Sequence, residues 1–152
     1  MPLTSISLET TNVITCTNCA NGYIEIHCVV NGEQVAEIIE IELIRLDVSI
    51  LSVSKTLALE RNDYVSNFED TELANRSGVV VSSLIRYGDV SYLSIRIMGS
   101  VVKPQKDKGP YQCVLRGFDT NYGFIREDPR REMLNITGNT NNVLLIHVRP
   151  GL

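Results

Sequence analysis

Apolar residues in this chain recur at every second position. Ile24, Ile26 and Cys28 alternate with Glu25 and His27. Ile39, Ile41 and Leu43 alternate with Glu40 and Glu42, and Ser91, Leu93, Ile95 and Ile97 bracket Tyr92, Ser94 and Arg96. A period of two sends successive side chains to opposite faces of an extended backbone, so each run reads as a strand with one buried and one wet face. Asn31-Gly32, Tyr87-Gly88-Asp89, Lys108-Gly109-Pro110 and Gly138-Asn139 separate the runs with turn residues. The pattern predicts strands near Ser5–Ile14, Gly22–Val30, Glu37–Leu46, Ile50–Leu59, Val79–Arg86, Val90–Met98, Pro110–Gly117 and Asn142–Val148. The Glu-rich stretch Val35–Leu46 also admits a helix, but its Ile and Val content and its alternation from Ile39 to Leu43 favour a strand. Short strands at this spacing predict an all-β, two-sheet Greek-key sandwich. Neither an internal repeat nor a low-complexity linker interrupts it, so residues 1–152 are expected to form a single domain.

Composition narrows the function classes. Hydrophobic residues make up 43% of the 152, enough for a core. With 21% charged residues and a formal net charge of −4, the chain lacks the clustered basic face that nucleic acid or anionic membrane requires. No run approaches the ~18–20 apolar residues of a membrane span. Met1-Pro2-Leu3-Thr4 has neither the basic nor the apolar region of a signal peptide, which leaves a cytosolic protein or a mature ectodomain. Four cysteines (Cys16, Cys19, Cys28 and Cys113) and two sequons (Asn75-Arg76-Ser77 and Asn135-Ile136-Thr137) favour the ectodomain, secreted or membrane-anchored in full length. Asn75 and Asn135 are then the candidate glycan acceptors.

The segment Asp107-Lys108-Gly109-Pro110-Tyr111-Gln112-Cys113 spells Asp-x-Gly-x-Tyr-x-Cys. A tyrosine two residues before a core cysteine can pack its ring inward and return its hydroxyl to the backbone of the preceding loop. Gly109 permits a tight turn and Asp107 can accept hydrogen bonds or pair with an arginine. The motif resembles the E–F corner of immunoglobulin-superfamily domains, variable-like or intermediate. That resemblance implies a disulfide from Cys113 on strand F to a core cysteine on strand B. Cys28 fits, ending Ile24-x-Ile26-x-Cys28, and Cys16 is the rival; the separations are 85 and 97 residues. It also implies that Arg76 or Arg61 pairs with Asp107. For Cys16 and Cys19 a local disulfide, free or inter-chain thiols and a metal site stay open, although a lone Cys-x-x-Cys lacks a second ligand pair.

Two features depart from that family. No tryptophan occurs, and Ile41 falls about where the strand C tryptophan would sit. The stretch between strands C and E is also longer than usual. Tyr111 to Asp119 and Ile41 to Leu46 resemble the divergent immunoglobulin domains of invertebrate immune proteins, among them molluscan fibrinogen-related lectins and the polymorphic allorecognition receptors of colonial cnidarians. This resemblance implies recognition through protein or glycan contact, a second copy of the chain included.

Asp119 to Asn141, between strands F and G, holds the candidate ligand-binding residues Tyr122, Phe124, Arg126, Arg130 and Arg131, because Tyr and Arg dominate interface hot spots. The alternative is a hairpin continuing the strands, with Phe124 and Ile125 packed. The polar segment Arg61 to Ser77 reads as a solvated loop, and the outward Glu40 and Glu42 would resist self-contact unless met by Arg45, Arg86 or Arg96. His27 and His147, the two histidines, are expected to face solvent. With no nucleophile elbow, phosphate loop or metal-spaced cluster, the expectation is a binding domain without catalysis, cofactor or metal. A spacer domain of a larger adhesion or matrix protein is the alternative from another class.

Overall fold

The computed structural model describes residues 6–11, 23–33, 35–56, 64–86, 88–128, 131–138 and 144–150; the strands at 6–11, 132–138 and 144–150 are described through their backbone pairing. It is an all-β sandwich of two antiparallel sheets with immunoglobulin-like topology. One sheet holds β1 (Ile6–Thr11), β2 (Tyr23–Val30), β7 (Ser91–Met98) and β6 (Val79–Leu84), in that spatial order. The other runs β11 (Leu144–Pro150), β10 (Glu132–Gly138), β8 (Gly109–Asp119), β3 (Val35–Arg45), β4 (Val48–Lys55) and β5 (Tyr64–Phe68), with β9 (Phe124–Glu127) also paired to β8. In immunoglobulin lettering the first sheet is A-B-E-D. The second is G-F-C-C′-C″.

The alternation in the sequence is realised fully in β2. In β3 it holds from Ile41 to Leu43, but Ile38 and not Ile39 is buried, where the register with β8 shifts, and β4 buries Ile50 to Val53 in succession. Along β2 every second residue is buried, and Ile24, Ile26, Cys28 and Val30 enter the core with Leu93, Ile95 and Ile97 of β7. The facing sheet contributes Val35, Ile38, Ile41, Leu43, Leu51, Val53, Tyr111, Cys113 and Leu115. A disulfide joins Cys28 to Cys113 and so links the two sheets. Ile41 is fully buried in the same cluster. Gly117 has its own reason: a Cβ there would run into the carbonyl oxygen of Glu37, where the β3–β8 register shifts.

Four expectations need correction. The segment Arg61 to Ser77 is not simply a solvated loop. It contributes β5, which pairs with β4, and the short helix α1 (Thr71–Asn75), whose first turn Asp70 caps by accepting from the Leu73 N–H at 3.0 Å. These elements account for the long stretch between strands C and E. Leu46 does not end strand C. With Asp47 it forms a two-residue turn between β3 and β4, both residues at positive φ (52° and 63°), as a type I′ turn requires. The strand expected near Asn142–Val148 is β11, and it pairs with β10, not with F. Strand G is instead β9 followed by β10, which take the upper and lower parts of β8. Within the segment Asp119 to Asn141, Phe124–Glu127 and Glu132–Gly138 are therefore strand.

The motif around Tyr111 builds one end of the sandwich. Pro104–Asp107 form a single helical turn, α2, that leaves Asp107 fully buried. The Tyr111 hydroxyl donates to the Asp107 carbonyl at 2.6 Å. Asp107 Oδ2 accepts from the Lys103 N–H at 2.7 Å and from Arg76 Nη1 at 2.6 Å, while Oδ1 lies 3.7 Å from Arg45 Nη1. Arg76, its side chain only 5% exposed, also donates Nε to Glu72 at 3.0 Å and Nη1 to the Val101 carbonyl at 3.2 Å. Arg45 turns its other nitrogen to Asp70 Oδ2 at 2.9 Å. The Glu72 carboxyl, hydrogen-bonded by Arg76, is held down at about 2.

Burial pushes the Tyr111 hydroxyl from 10.0 up to about 12. The sign of its effect follows. Between pH 10 and 12 the unfolded chain releases a proton that the folded chain keeps, so this contribution is complete below pH 10 and fades as pH rises toward 12. Alkaline unfolding of the wild type should show a stability loss approaching ~3 kcal/mol across that window. Tyr111→Phe should be less stable at neutral pH by about 1–3 kcal/mol, since it strands a buried acceptor, and should lack that alkaline slope. Parallel slopes for the two proteins would assign the alkaline transition to other groups.

Candidate recognition end of the sandwich

Strand directions bring a set of turns together at the end opposite Tyr111. Val35 at the start of β3 pairs with Asp119 at the end of β8, and Val30 at the end of β2 pairs with Ser91 at the start of β7. The B–C turn, the D–E turn and the F–G hairpin therefore share one pole. Gly32 of the B–C turn abuts the D–E turn so closely that a side chain there would strike the main chain of Asp89. Asn31 Oδ1 accepts from the Glu33 N–H at 3.1 Å, and Asp89 Oδ1 from the Val90 N–H at 2.7 Å, so both turns are braced by short side chains.

The F–G hairpin is fixed by Asp119. Its Oδ1 accepts from the Asn121 N–H at 2.9 Å and the Gly123 N–H at 2.8 Å, while its backbone N–H donates to the Gly123 carbonyl at 2.9 Å. Tyr122 sits in the left-handed region (φ 61°), where its ring projects from the turn and is 83% exposed. Phe124 pairs with Phe118 across the hairpin, edge to face with centroids 6.0 Å apart, and is itself 61% exposed. Two aromatic rings thus stand in water on a turn whose backbone is held by four hydrogen bonds, the fourth from the Tyr122 N–H to the Asp119 carbonyl at 3.0 Å.

Of the five candidate ligand residues, the hairpin gathers three. Tyr122 and Phe124 are at its tip, and Arg126 lies on β9 opposite Arg116, paired with Asp128 at 3.3 Å. Arg131 is elsewhere: it forms an ion pair with Asp47 at the Tyr111 end, roughly 20 Å away along β8. Arg130, Cys16, Cys19 and Arg61 lie outside the described residues, as does the side chain of Asn135. Asn75 is exposed at the last position of α1, at the pole opposite the F–G hairpin.

The outer face of the large sheet carries an ion ladder that strand patterning alone does not reveal. Glu37 pairs with Lys55, and Glu40 pairs with Arg116, which also lies 3.7 Å from Glu42. The acids on strand C are thus met by Arg116 of strand F, while Arg45 goes to Asp70, Arg86 to Asp89 and Arg96 to Glu25. The signal was available, since a cationic residue on the neighbouring strand is what a row of glutamates needs, but it required the C–F register. On the other sheet Arg96 also stacks over the Tyr23 ring at 4.3 Å. His27 does not stand free in solvent: it is half-buried, with Nε2 2.7 Å from Glu25 Oε1. Among the described residues no group of three or more His, Cys, Asp and Glu could hold a metal ion, and no helix is long and apolar enough to cross a membrane. No family model matches the chain, and no curated protein sequence matches it either.

Proposed function

We propose that this chain is an extracellular recognition domain that binds a protein or glycan partner through its F–G hairpin, without catalysis. The observation that carries the proposal is the exposure of Tyr122 and Phe124 on a hydrogen-bonded turn. Left in water, large rings lose the hydrophobic contribution that normally justifies them, and pre-organised aromatic residues are the side chains most often found at the centre of interfaces. The Cys28–Cys113 disulfide supports an oxidising compartment, and the Asp-x-Gly-x-Tyr-x-Cys corner supports kinship with immunoglobulin-superfamily recognition domains, the divergent invertebrate type included. A glycan on Asn75 would leave the hairpin pole clear.

The test is a binding screen of the fluorescently labelled chain against a glycan array and a panel of cell surfaces. A hit should weaken by at least about tenfold in the Tyr122→Ala/Phe124→Ala double variant, with an unchanged melting temperature. A hit indifferent to that variant would move the site elsewhere on the sandwich. Absence of any hit would favour the spacer reading.

A further inference from the structure

We propose that β6 is a self-association edge: two copies of this chain pair antiparallel through it and join their four-stranded sheets into one continuous sheet. β6 ends the order β1-β2-β7-β6, and among the described residues no strand pairs with its outer side. An edge strand leaves a row of N–H and C=O groups without partners, and proteins usually blunt such rows with charges, prolines or bulges. β6 has none of these. Residues 79–85 read Val-Val-Val-Ser-Ser-Leu-Ile, with no charge, proline or glycine, and β6 pairs with β7 over all its residues without a register shift. Val80, its second residue, is 59% exposed.

Geometry selects the register. A two-fold axis relating antiparallel strands stands perpendicular to the sheet, so residues of one face must meet residues of the same face. An axis through Val80 sets Val80 opposite Val80 and Val79 opposite Val81 of the second copy, a ladder of the first three residues of β6, while Ser82 to Leu84 extend past the turn at Gly78. No charge then faces a like charge, and the exposed valine is covered by its own equivalent. Ser83, whose Oγ lies 3.4 Å from Ser66 Oγ of β5, lies outside this ladder. The occupant the surface fits is therefore a second copy of the same strand.

Such a short ladder gives a weak dimer, in the micromolar-to-millimolar range. Analytical ultracentrifugation of the oxidised chain over a concentration series should show it. Val80→Lys and Val80→Glu each place like charges face to face on the two-fold axis, so each protein alone should associate roughly tenfold more weakly or worse. A one-to-one mixture of the two should associate again, because lysine then meets glutamate. Far-UV circular dichroism and melting temperature check that both variants keep the fold, as substitution at an exposed edge position should allow. Three results would each overturn the proposal: a wild type that stays monomeric to millimolar concentration, a dimer that persists in both variants, or a mixture that fails to restore it.

Discussion

Asp107→Ala is expected to remove about 3–5 kcal/mol of folding stability, measured by urea unfolding at neutral pH. The carboxylate is fully buried and is the anion toward which two arginines, from different parts of the chain, are directed. Deleting it leaves Arg76, itself 5% exposed, with Glu72 as its remaining counter-charge beside the Val101 carbonyl, and strands the Lys103 N–H that Oδ2 receives. An uncompensated buried charge is the costly outcome here; the net worth of the intact pair is smaller, because burying it also cost hydration. Asp107→Asn should lie between wild type and alanine, since an amide oxygen can still accept from Lys103 but carries no charge. For a domain with typical stability of ~5–15 kcal/mol, the alanine variant would stand near the margin. A loss below ~1 kcal/mol would mean that Glu72 and Asp70 absorb both arginines after a small rearrangement.

The Cys28→Ala/Cys113→Ala variant is expected to lose about 4–5 kcal/mol. The disulfide spans 85 residues, and in the chain-entropy description a closed loop of that size restricts the unfolded ensemble by about this much. The native state loses packing as well, because both sulfurs sit at 0% exposure in the cluster of Ile24, Ile41, Leu93 and Tyr111. The check is chemical denaturation of the variant beside the oxidised and the reduced wild type. Reduced wild type should fall close to the double alanine protein. A variant as stable as the oxidised chain would show that sheet packing suffices alone.

How much of this was legible in the sequence follows from which forces write a pattern into it. Strands with one face in the core declare themselves: β2 alternates without a fault, β3 buries Ile41 and Leu43 as the alternation marks but Ile38 in place of Ile39, and β7 buries Leu93, Ile95 and Ile97 with Ser94 in addition. The E–F corner was legible because its residues do separate mechanical tasks at fixed offsets. β5 was not, because Val65, Ser66 and Asn67 are all exposed at a sheet edge, where no burial imposes a period. The C–C′ turn hid for another reason: Leu46-Asp47 adopts a geometry normally announced by Asn-Gly, and the surrounding strands, not local propensity, impose it. Within the candidate site, Tyr122, Phe124 and Arg126 are grouped because a hairpin holds them. Arg131 parts from them because β9 and β10 run the length of β8, a distance that a loop reading of the segment cannot express.

The charged hub and the protruding rings occupy opposite poles, separated by the length of β8. Substitution at Tyr122, Phe124 or the residues between them touches neither Asp107 nor the cystine. A lineage carrying this scaffold can therefore diversify one tip freely while its capacity to fold is inherited unchanged at the other, the division of labour that suits a molecule whose counterpart keeps evolving.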